Sequence, residues 1–529
     1  MALDLTPEQR AIGKANFERV VGYNGLTRRD FMKGMLAAGA VLPVSAAAYF
    51  GYERLAGRPV KAGLIGAGDE GGVLVGEHNP DYLQFIAYSD IRPYNQKRIF
   101  DGEKSGPRKG FNKKYGSDAK NHIRFYESYK ELLANPEIEA VVIALPLHMH
   151  ARASIDAMEA GKHVLCEKLM GWNINQCKEM IQVADRTDRI LAIGHQRHYS
   201  MLYAHAVEVL NAGELGDVRH IRALWHRNNA RPKLDSGGKP LFDPDTHTPV
   251  YADSWHPDIQ PEDRAALEKR VHEFGYKSLE ELCRWRLYNR TGAGLMAELG
   301  SHQLDACSIF LGKVHPLAVS GVGGKYFYRD GREVDDHVFV TFEFPGKNYP
   351  KDKEDIVVVT YSSISTNSFE PYGECVMGSK GTMIVQSEQA IMLYPDLGAP
   401  GAGRSMTMTV STTAPGKPAV DASASSAPID SAKAQDVGQK ALSYDPVSRG
   451  YKEEMEDFAF CVRMWNQSGS KNERRRPRCY DRLAMADAII ALTSNEAMRR
   501  RQRIEFKPEW FDAASKEVPD PERRTETVV

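Results

Sequence analysis

The chain has 529 residues, 42% hydrophobic and 26% charged, an ordinary globular composition that excludes disorder throughout and leaves room for two domains with separate cores. Its 69 basic and 70 acidic side chains give a formal charge of -1, so no global field favours nucleic acid or anionic lipid, and local sites must carry the function. Cys166, Cys177, Cys283, Cys307, Cys375, Cys461 and Cys479 stand far apart, with no C-x-x-C pair and no zinc spacing, which points away from a disulfide framework.

The first landmark in chain order is Thr27-Arg28-Arg29-Asp30-Phe31-Met32-Lys33, a twin-arginine pattern ahead of an uncharged stretch from Gly34 to Tyr52 with small residues at Ala46-Ala47-Ala48. An export signal over residues 1–52 is expected, with a periplasmic destination. The stretch also approaches the roughly 20 residues that span a bilayer, so a retained membrane tether is a second option. Residues 53–59 read as a linker.

From Val60 onward strands alternate with helices. Apolar runs at Val60–Ile65, Leu83–Ser89, Ala140–Leu145, His163–Cys166 and Arg189–Gly194 are continuous enough to be buried on both faces, with helices expected at Tyr129–Ala134 and Ala151–Ala160. This pattern predicts a doubly wound parallel α/β domain of the Rossmann type over 60–196. The remainder, 197–510, opens with a helix at Tyr203–Asn211 and then turns β-rich: Val218–Trp225, Leu317–Tyr328, Val338–Phe344, Ile356–Ser363, Glu374–Met377, Thr382–Gln386 and Ala390–Tyr394. A large, mostly antiparallel open sheet is expected, giving α/β plus α+β overall. The polar, Pro- and Asp-rich segment 228–282 reads as an insertion that roofs a cleft, and 397–441, rich in Ala, Ser, Gly and Thr, as a flexible loop. Helices at Tyr451–Trp465 and Arg482–Arg499, a solvated basic loop at Lys471–Arg478 and a tail at 511–529 close the chain.

The first strand runs into Gly66-Ala67-Gly68-Asp69-Glu70-Gly71, a G-x-G-x-x-G pattern. Alone it is weak. Between a strand and a helix it is informative: the first Gly permits the turn, the second lets backbone approach a pyrophosphate, and the third lets the helix pack on the sheet. Asp90, at the end of the second strand, is placed to accept hydrogen bonds from an adenosine ribose diol, which favours NAD, whereas Arg92 leaves NADP open as a partner for a 2′-phosphate.

Two further stretches, Val142-Ile143-Ala144-Leu145-Pro146-Leu147-His148-Met149-His150 and Ala160-Gly161-Lys162-His163-Val164-Leu165-Cys166-Glu167-Lys168, closely resemble the strand, Pro turn, helix and E-K-P signature of the Gfo/Idh/MocA oxidoreductases. The resemblance is strong over Val60 to Arg197 and loose beyond, and Leu169 stands where the signature has proline. It implies a nicotinamide cofactor held by Gly66, Gly68, Gly71, Asp90, Arg92, Leu145, Pro146, His150, Glu167, Lys168 and Gln196, with Lys168 near both nicotinamide and the reacting hydroxyl. A Lys at the carboxyl end of a strand, where the crevice opens, also has its charge placed to steady a developing alkoxide.

The stretch from Thr291 to Asp305 looks like the family's glycine-rich entry into a helix followed by D-x-x-x-H, with Glu298 in the place of the acid. On a regular helix Glu298, His302 and Asp305 share one face, which is expected to meet Lys168 across the cleft. His302 is the natural general base and Glu298 its orienting or hydroxyl-binding partner. Arg197, Trp285, Arg286 and Asp305 are the candidate substrate contacts, His226 and Arg227 end a strand nearby, and no metal site is expected, since His148 and His150 lack partners at metal spacing. These readings converge on an NAD(P)-dependent oxidoreductase acting on a sugar, cyclic polyol or glycoside, with tightly bound cofactor recycled in place, no nucleic-acid partner and assembly as a homo-oligomer. Redox-neutral glycoside cleavage or epimerisation, and a silent sugar-binding protein of the same fold, are the alternatives.

Overall fold

The computed structural model describes residues 5, 7–25, 50–52, 58–242, 247–396, 406–414, 417–424, 449–468 and 474–520. The twin-arginine motif and most of the apolar stretch behind it lie outside the described residues, as do much of the expected 397–441 loop and the end of the tail. No described helix is long and apolar enough to cross a membrane.

Six parallel strands form the first sheet: β1 (Val60–Ile65), β2 (Leu83–Ser89), β3 (Arg124–Tyr126), β4 (Ala140–Ile143), β5 (His163–Glu167) and β6 (Leu191–Gly194), in the order 3-2-1-4-5-6. This is the doubly wound order, and its reversal between β1 and β4 opens a crevice at the carboxyl ends of the strands. All four residues of β4 are buried because helices cover both faces, which is why its sequence, Ala-Val-Val-Ile, does not alternate. The second sheet has eight strands in the order β13-β12-β11-β7-β10-β9-β8-β16. It comprises β7 (Val218–His226), β8 (Ala318–Gly324), β9 (His337–Pro345), β10 (Ile356–Ile364), β11 (Tyr372–Gly378), β12 (Gly381–Gln386), β13 (Ala390–Pro395) and β16 (Ile504–Glu505). Only β7 and β10 pair in parallel. Here strands do alternate: β9 buries Val338, Val340, Phe342 and Phe344 and turns Phe339 and Thr341 outward, as a sheet covered on one face requires. Within the expected loop, β14 (Met406–Ala414) and β15 (Lys417–Ala424) pair as a hairpin.

Three late or early segments return to cores formed elsewhere in the sequence. The helix Tyr451–Gln467 packs Met455, Phe458, Ala459 and Val462 against Val60, Leu64 and Val142 of the first sheet. The helix Asp481–Arg500 places Met485, Ala488 and Ile489 in the core shared with helix Ile174–Thr187, and Ile490 and Met498 in the core of the second sheet, so one element ties both sheets together. Ahead of the twin-arginine motif, helix Pro7–Gly25 lies along the edge strand β13, where Asn16 Nδ2 donates to the Leu393 carbonyl (3.1 Å) and Tyr394 Oη to the Gln9 carbonyl (2.9 Å). Phe50 and Tyr52, at the end of the apolar stretch, are buried in the Rossmann core. The basic run is not simply solvated: Arg474 pairs with Asp188 (2.6 Å), Arg475 with Asp457 (2.7 Å), and Arg478 Nε donates to the His198 carbonyl. All seven cysteines are buried free thiols.

Candidate active site

The crevice of the first sheet continues into a cleft of about 2230 Å3 that reaches the second sheet. Segment 254–290 supplies much of its roof, and a small core of Leu267, Val271, Tyr276, Leu279 and Leu282 holds that roof in shape. Ordinary ligand pockets run to about 1,000 Å3 at most, so there is room for a dinucleotide and a second molecule.

The fingerprint is built as its glycines predict. Gly66 has φ +95°, and a Cβ there would lie 2.4 Å from the Ala144 carbonyl oxygen, while a Cβ on Gly71 would lie 2.2 Å from the Gly66 oxygen. At Gly68 the nearest atom to such a Cβ is Asn95 Nδ2 at 3.8 Å, so the glycine there leaves free a cradle that opens on the cleft. This is the space a pyrophosphate needs, at the start of the helix Asp69–Glu77. Asp69, an acid at that start, is offset by Arg98 (2.8 Å), which with Arg108 lines the cleft. We expect Gly66→Ala to fold yet lose nucleotide affinity by at least tenfold in fluorescence titration, since the left-handed turn and its contact cannot both survive a methyl group; unchanged affinity would remove this account.

Asp90 borders the crevice and accepts from the Ala67 amide (2.7 Å), the Arg92 amide (2.8 Å) and Asn95 Nδ2 (3.1 Å), which locks the fingerprint loop to the end of β2. Arg92 also lines the crevice, but its guanidinium is engaged by Asp263 of the roof (2.8 Å). Leu145, Pro146 and His150 border the same space, and the His150 ring nitrogens lie 2.8 Å from the Leu145 and Leu169 carbonyl oxygens, joining the loops behind β4 and β5.

Lys168 stands just past β5, and its peptide bond to Leu169 is cis. The ammonium donates to the Glu298 carbonyl (2.9 Å), which brings it to the opposite wall. Trp172 clips the same loop to that wall, its indole donating to the Asn289 and Gly292 carbonyls (2.9 and 3.0 Å). Glu298 lies in a widened π turn, Met296–Gly300, that enters the helix Ser301–Phe310. Burial raises the Glu298 pKa, but Arg286, whose Nε donates to Oε2 at 2.7 Å, and Lys168 outweigh it and hold the carboxyl below its usual range. Arg286 in turn lies over the Trp285 ring at 4.3 Å. His302 borders the cleft beside Trp225 (ring centroids 5.3 Å), and burial, followed by the charges of Lys168 and Arg197, pushes its pKa well below the imidazole range. The ring is therefore held neutral.

Behind β5 the expected cofactor residue Glu167 meets two acids that sequence reading did not single out, Glu70 and Glu454. Glu70, Glu167 and Glu454 come from three elements and are all raised by burial; Glu70 raises Glu167 further, and both raise Glu454, while Lys168 opposes the effect at Glu70 and Glu167. Gly194 makes room for this group: a Cβ there would meet the Glu167 carboxylate at 2.9 Å.

Three expected contacts belong elsewhere. Asp305 does not share the cleft face of Glu298 and His302; it is 1% exposed and its carboxylate is drawn behind the helix by His198 (2.8 Å) and the Lys313 ammonium (2.6 Å). His195, Asp305 and Asp487 lie close enough to surround a cation, and Lys313, which also reaches Asp487 at 3.1 Å, supplies one. Gln196 is 1% exposed and does not reach the cleft. Arg197 is likewise buried, held by Glu374 (3.0 Å) and Glu388 (2.7 Å), and donates to the His302 carbonyl. It supports the helix from behind and does not face substrate.

With this geometry in place, comparison with known proteins is direct. The description "Oxidoreductase family, NAD-binding Rossmann fold" of the GFO/IDH/MocA proteins matches residues 60–195, and "GFO/IDH/MocA C-terminal domain" matches 270–384. The chain belongs to the Gfo/Idh/MocA oxidoreductase family. Its first sheet is thus the NAD-binding Rossmann domain of that family. An uncharacterized oxidoreductase of Rhizobium meliloti is 38% identical over 125 residues, 23% of this chain and 37% of the relative. A "Glycosyl hydrolase family 109 protein" of Stenotrophomonas maltophilia is 28% identical over 292 residues, 54% of this chain and 55% of the relative. The chain therefore spans about a third to a half of the length of these curated relatives. Among solved structures, the aldose-aldose oxidoreductase of Caulobacter crescentus, complexed with glycerol, is 17% identical with a TM-score of 0.53 and covers 85% of this chain and all of its own. An inositol dehydrogenase homolog of Azotobacter vinelandii, complexed with NADH and myo-inositol, is 15% identical with a TM-score of 0.56, over 86% and 99%. At these identities the likeness is one of fold.

Proposed function

We propose that this Gfo/Idh/MocA protein oxidises a sugar or cyclic polyol at a secondary or anomeric carbon, using a tightly held NAD that is regenerated in place. The observation that carries this reading is the meeting of Lys168, Glu298 and His302 across the mouth of the nucleotide crevice. NAD is favoured over NADP because Asp90 borders the crevice while the Arg92 guanidinium is committed to Asp263. When bound, the nicotinamide supplies a reversible two-electron acceptor. The chain's own groups do the rest: neutral His302 would take the hydroxyl proton, the Lys168 ammonium would stabilise the alkoxide so formed until the C–H hydride leaves and the carbonyl forms, and Glu298, fixed by Arg286, would orient a neighbouring hydroxyl. The carried cofactor follows from Arg28-Arg29: a folded protein exported to the periplasm takes its nucleotide with it. Exposed Val322 and Phe339, on the outer face of the second sheet, support a homo-oligomer.

The 292-residue match to a protein named as a glycosyl hydrolase favours a second reading on the same residues. Transient oxidation acidifies the adjacent C–H, elimination releases the aglycone, and the electrons return to the sugar. Purified protein incubated with free reducing sugars, and in parallel with glycosides, with no added acceptor separates the two. Lactone paired with alditol is the outcome expected of closed sugar-to-sugar redox; aglycone release with no net cofactor reduction replaces it by the second reading. Protein that carries no nicotinamide and works only with free NAD would overturn the carried-cofactor part.

A further inference from the structure

Arg227, the residue after β7, borders the cleft beside His302's neighbour Trp225, with its guanidinium 5.2 Å from the indole ring. Its backbone is anchored, the amide donating to the Ile364 carbonyl at 2.9 Å, but among the described residues nothing accepts a hydrogen bond or ion pair from its guanidinium. The two acids whose charges favour its charged form are already engaged: Glu298 by Arg286 (2.7 Å) and Asp253 by Arg332 (2.7 Å). Burial and then the Arg286 charge both act against the charged form of Arg227. Lys168, Arg227 and Arg286 thus meet around Glu298 and a neutral His302, with Glu70 and Glu167, the other acids beside Lys168, raised by burial. Every other arginine named in this site has a carboxylate partner. A half-buried guanidinium on the cleft wall with no carboxylate partner is open to a ligand, and its planar fork fits a carboxylate in two parallel hydrogen bonds.

We infer that the substrate is an acidic sugar, a uronate or a glycoside of one, whose carboxylate is bound by Arg227 while the oxidised carbon lies against Lys168 and His302. This rests on the proposed function for the reacting end and adds the group that sets specificity. Neutral sugars lack the group the guanidinium needs, and a site built around a buried polar partner rejects the analogue that leaves it unpaired. Sulfate or phosphate esters offer the same charge with tetrahedral geometry and serve as controls.

The test uses the full-length holoprotein and pairs of sugars differing only at C6: glucose with glucuronate, galactose with galacturonate, plus glucose 6-sulfate and 6-phosphate. Absorbance of the bound nicotinamide gives kcat and KM, and calorimetry gives binding. Glucuronate or galacturonate is expected to exceed its neutral partner in kcat/KM by on the order of 10–100-fold, the range of a lost charge-assisted hydrogen-bond pair. Arg227→Met should remove that preference mainly through KM, and Arg227→Lys should restore part of it. Equal use of neutral and acidic sugars, preference for the esters, or equal damage by Arg227→Met to both members of a pair would overturn the inference while leaving the proposed function intact. If no sugar changes the nicotinamide spectrum, the proposed function fails instead; calorimetric binding of a uronate by the parent protein, absent in Arg227→Met, still decides the role of Arg227.

Discussion

Lys168→Met is expected to lower turnover by about 1,000-fold, the combined scale of lost charge stabilisation and proton management at a reacting oxygen. The structural cost should be small: the ammonium makes one hydrogen bond, to the Glu298 carbonyl, and the methionine stem can keep much of the packing. A single exchanged hydrogen bond is worth about 1 kcal/mol, so the melting temperature should fall only slightly. Stopped-flow measurement of nicotinamide absorbance, set beside a melting curve, checks both halves. Turnover within tenfold of the parent would remove Lys168 from the chemistry and take the proposed function with it.

The second large effect concerns stability. Arg197→Ala should cost about 3–5 kcal/mol, the usual price of breaking a buried ion pair from one side. It leaves Glu374 and Glu388 facing each other in the core and the His302 carbonyl without its donor. The size of the loss should depend on pH. Burial raises Glu374 to about 7 even with Arg197 beside it. A carboxyl raised on folding binds protons more tightly in the folded state, so its contribution is greatest at low pH and fades as pH rises from the unfolded value through about 7. Without the guanidinium the folded value rises further, so the variant should lose ground against the parent between pH 6 and pH 8. Urea denaturation at those two pH values measures the gap, and a variant less damaged at pH 8 than at pH 6 contradicts this account.

Much of the site was legible because its chemistry is local in sequence. A glycine fingerprint, the acid behind the next strand, and a Glu-Lys pair ending another are each set by a turn whose backbone only certain residues permit. What escaped reading was short or remote. Three-residue β3 and two-residue β16 are too brief for any periodicity, and β16 exists only because Ile504 meets Val319 from far away. Glu454 joined the cofactor-side acids from a helix hundreds of residues beyond the fingerprint. Arg197 and Asp305 were misplaced for a related reason: a charged residue one step from an active-site segment has the same sequence signature whether it faces ligand or an ion pair in the core.

The sequence by itself therefore determined the family and the two-sheet plan, and singled out the glycine fingerprint and Lys168, Glu298 and His302 as candidates, because backbone-restricted turns and hydrophobic periodicity act over a few residues. Only the tertiary structure decided which charges are spent and which are free. Arg92 and Arg197 each found a carboxylate from a distant segment and Arg286 one twelve residues on, and among the described residues Arg227 found none. Ion pairing depends on which elements packing brings within a few ångströms, and no local pattern records that.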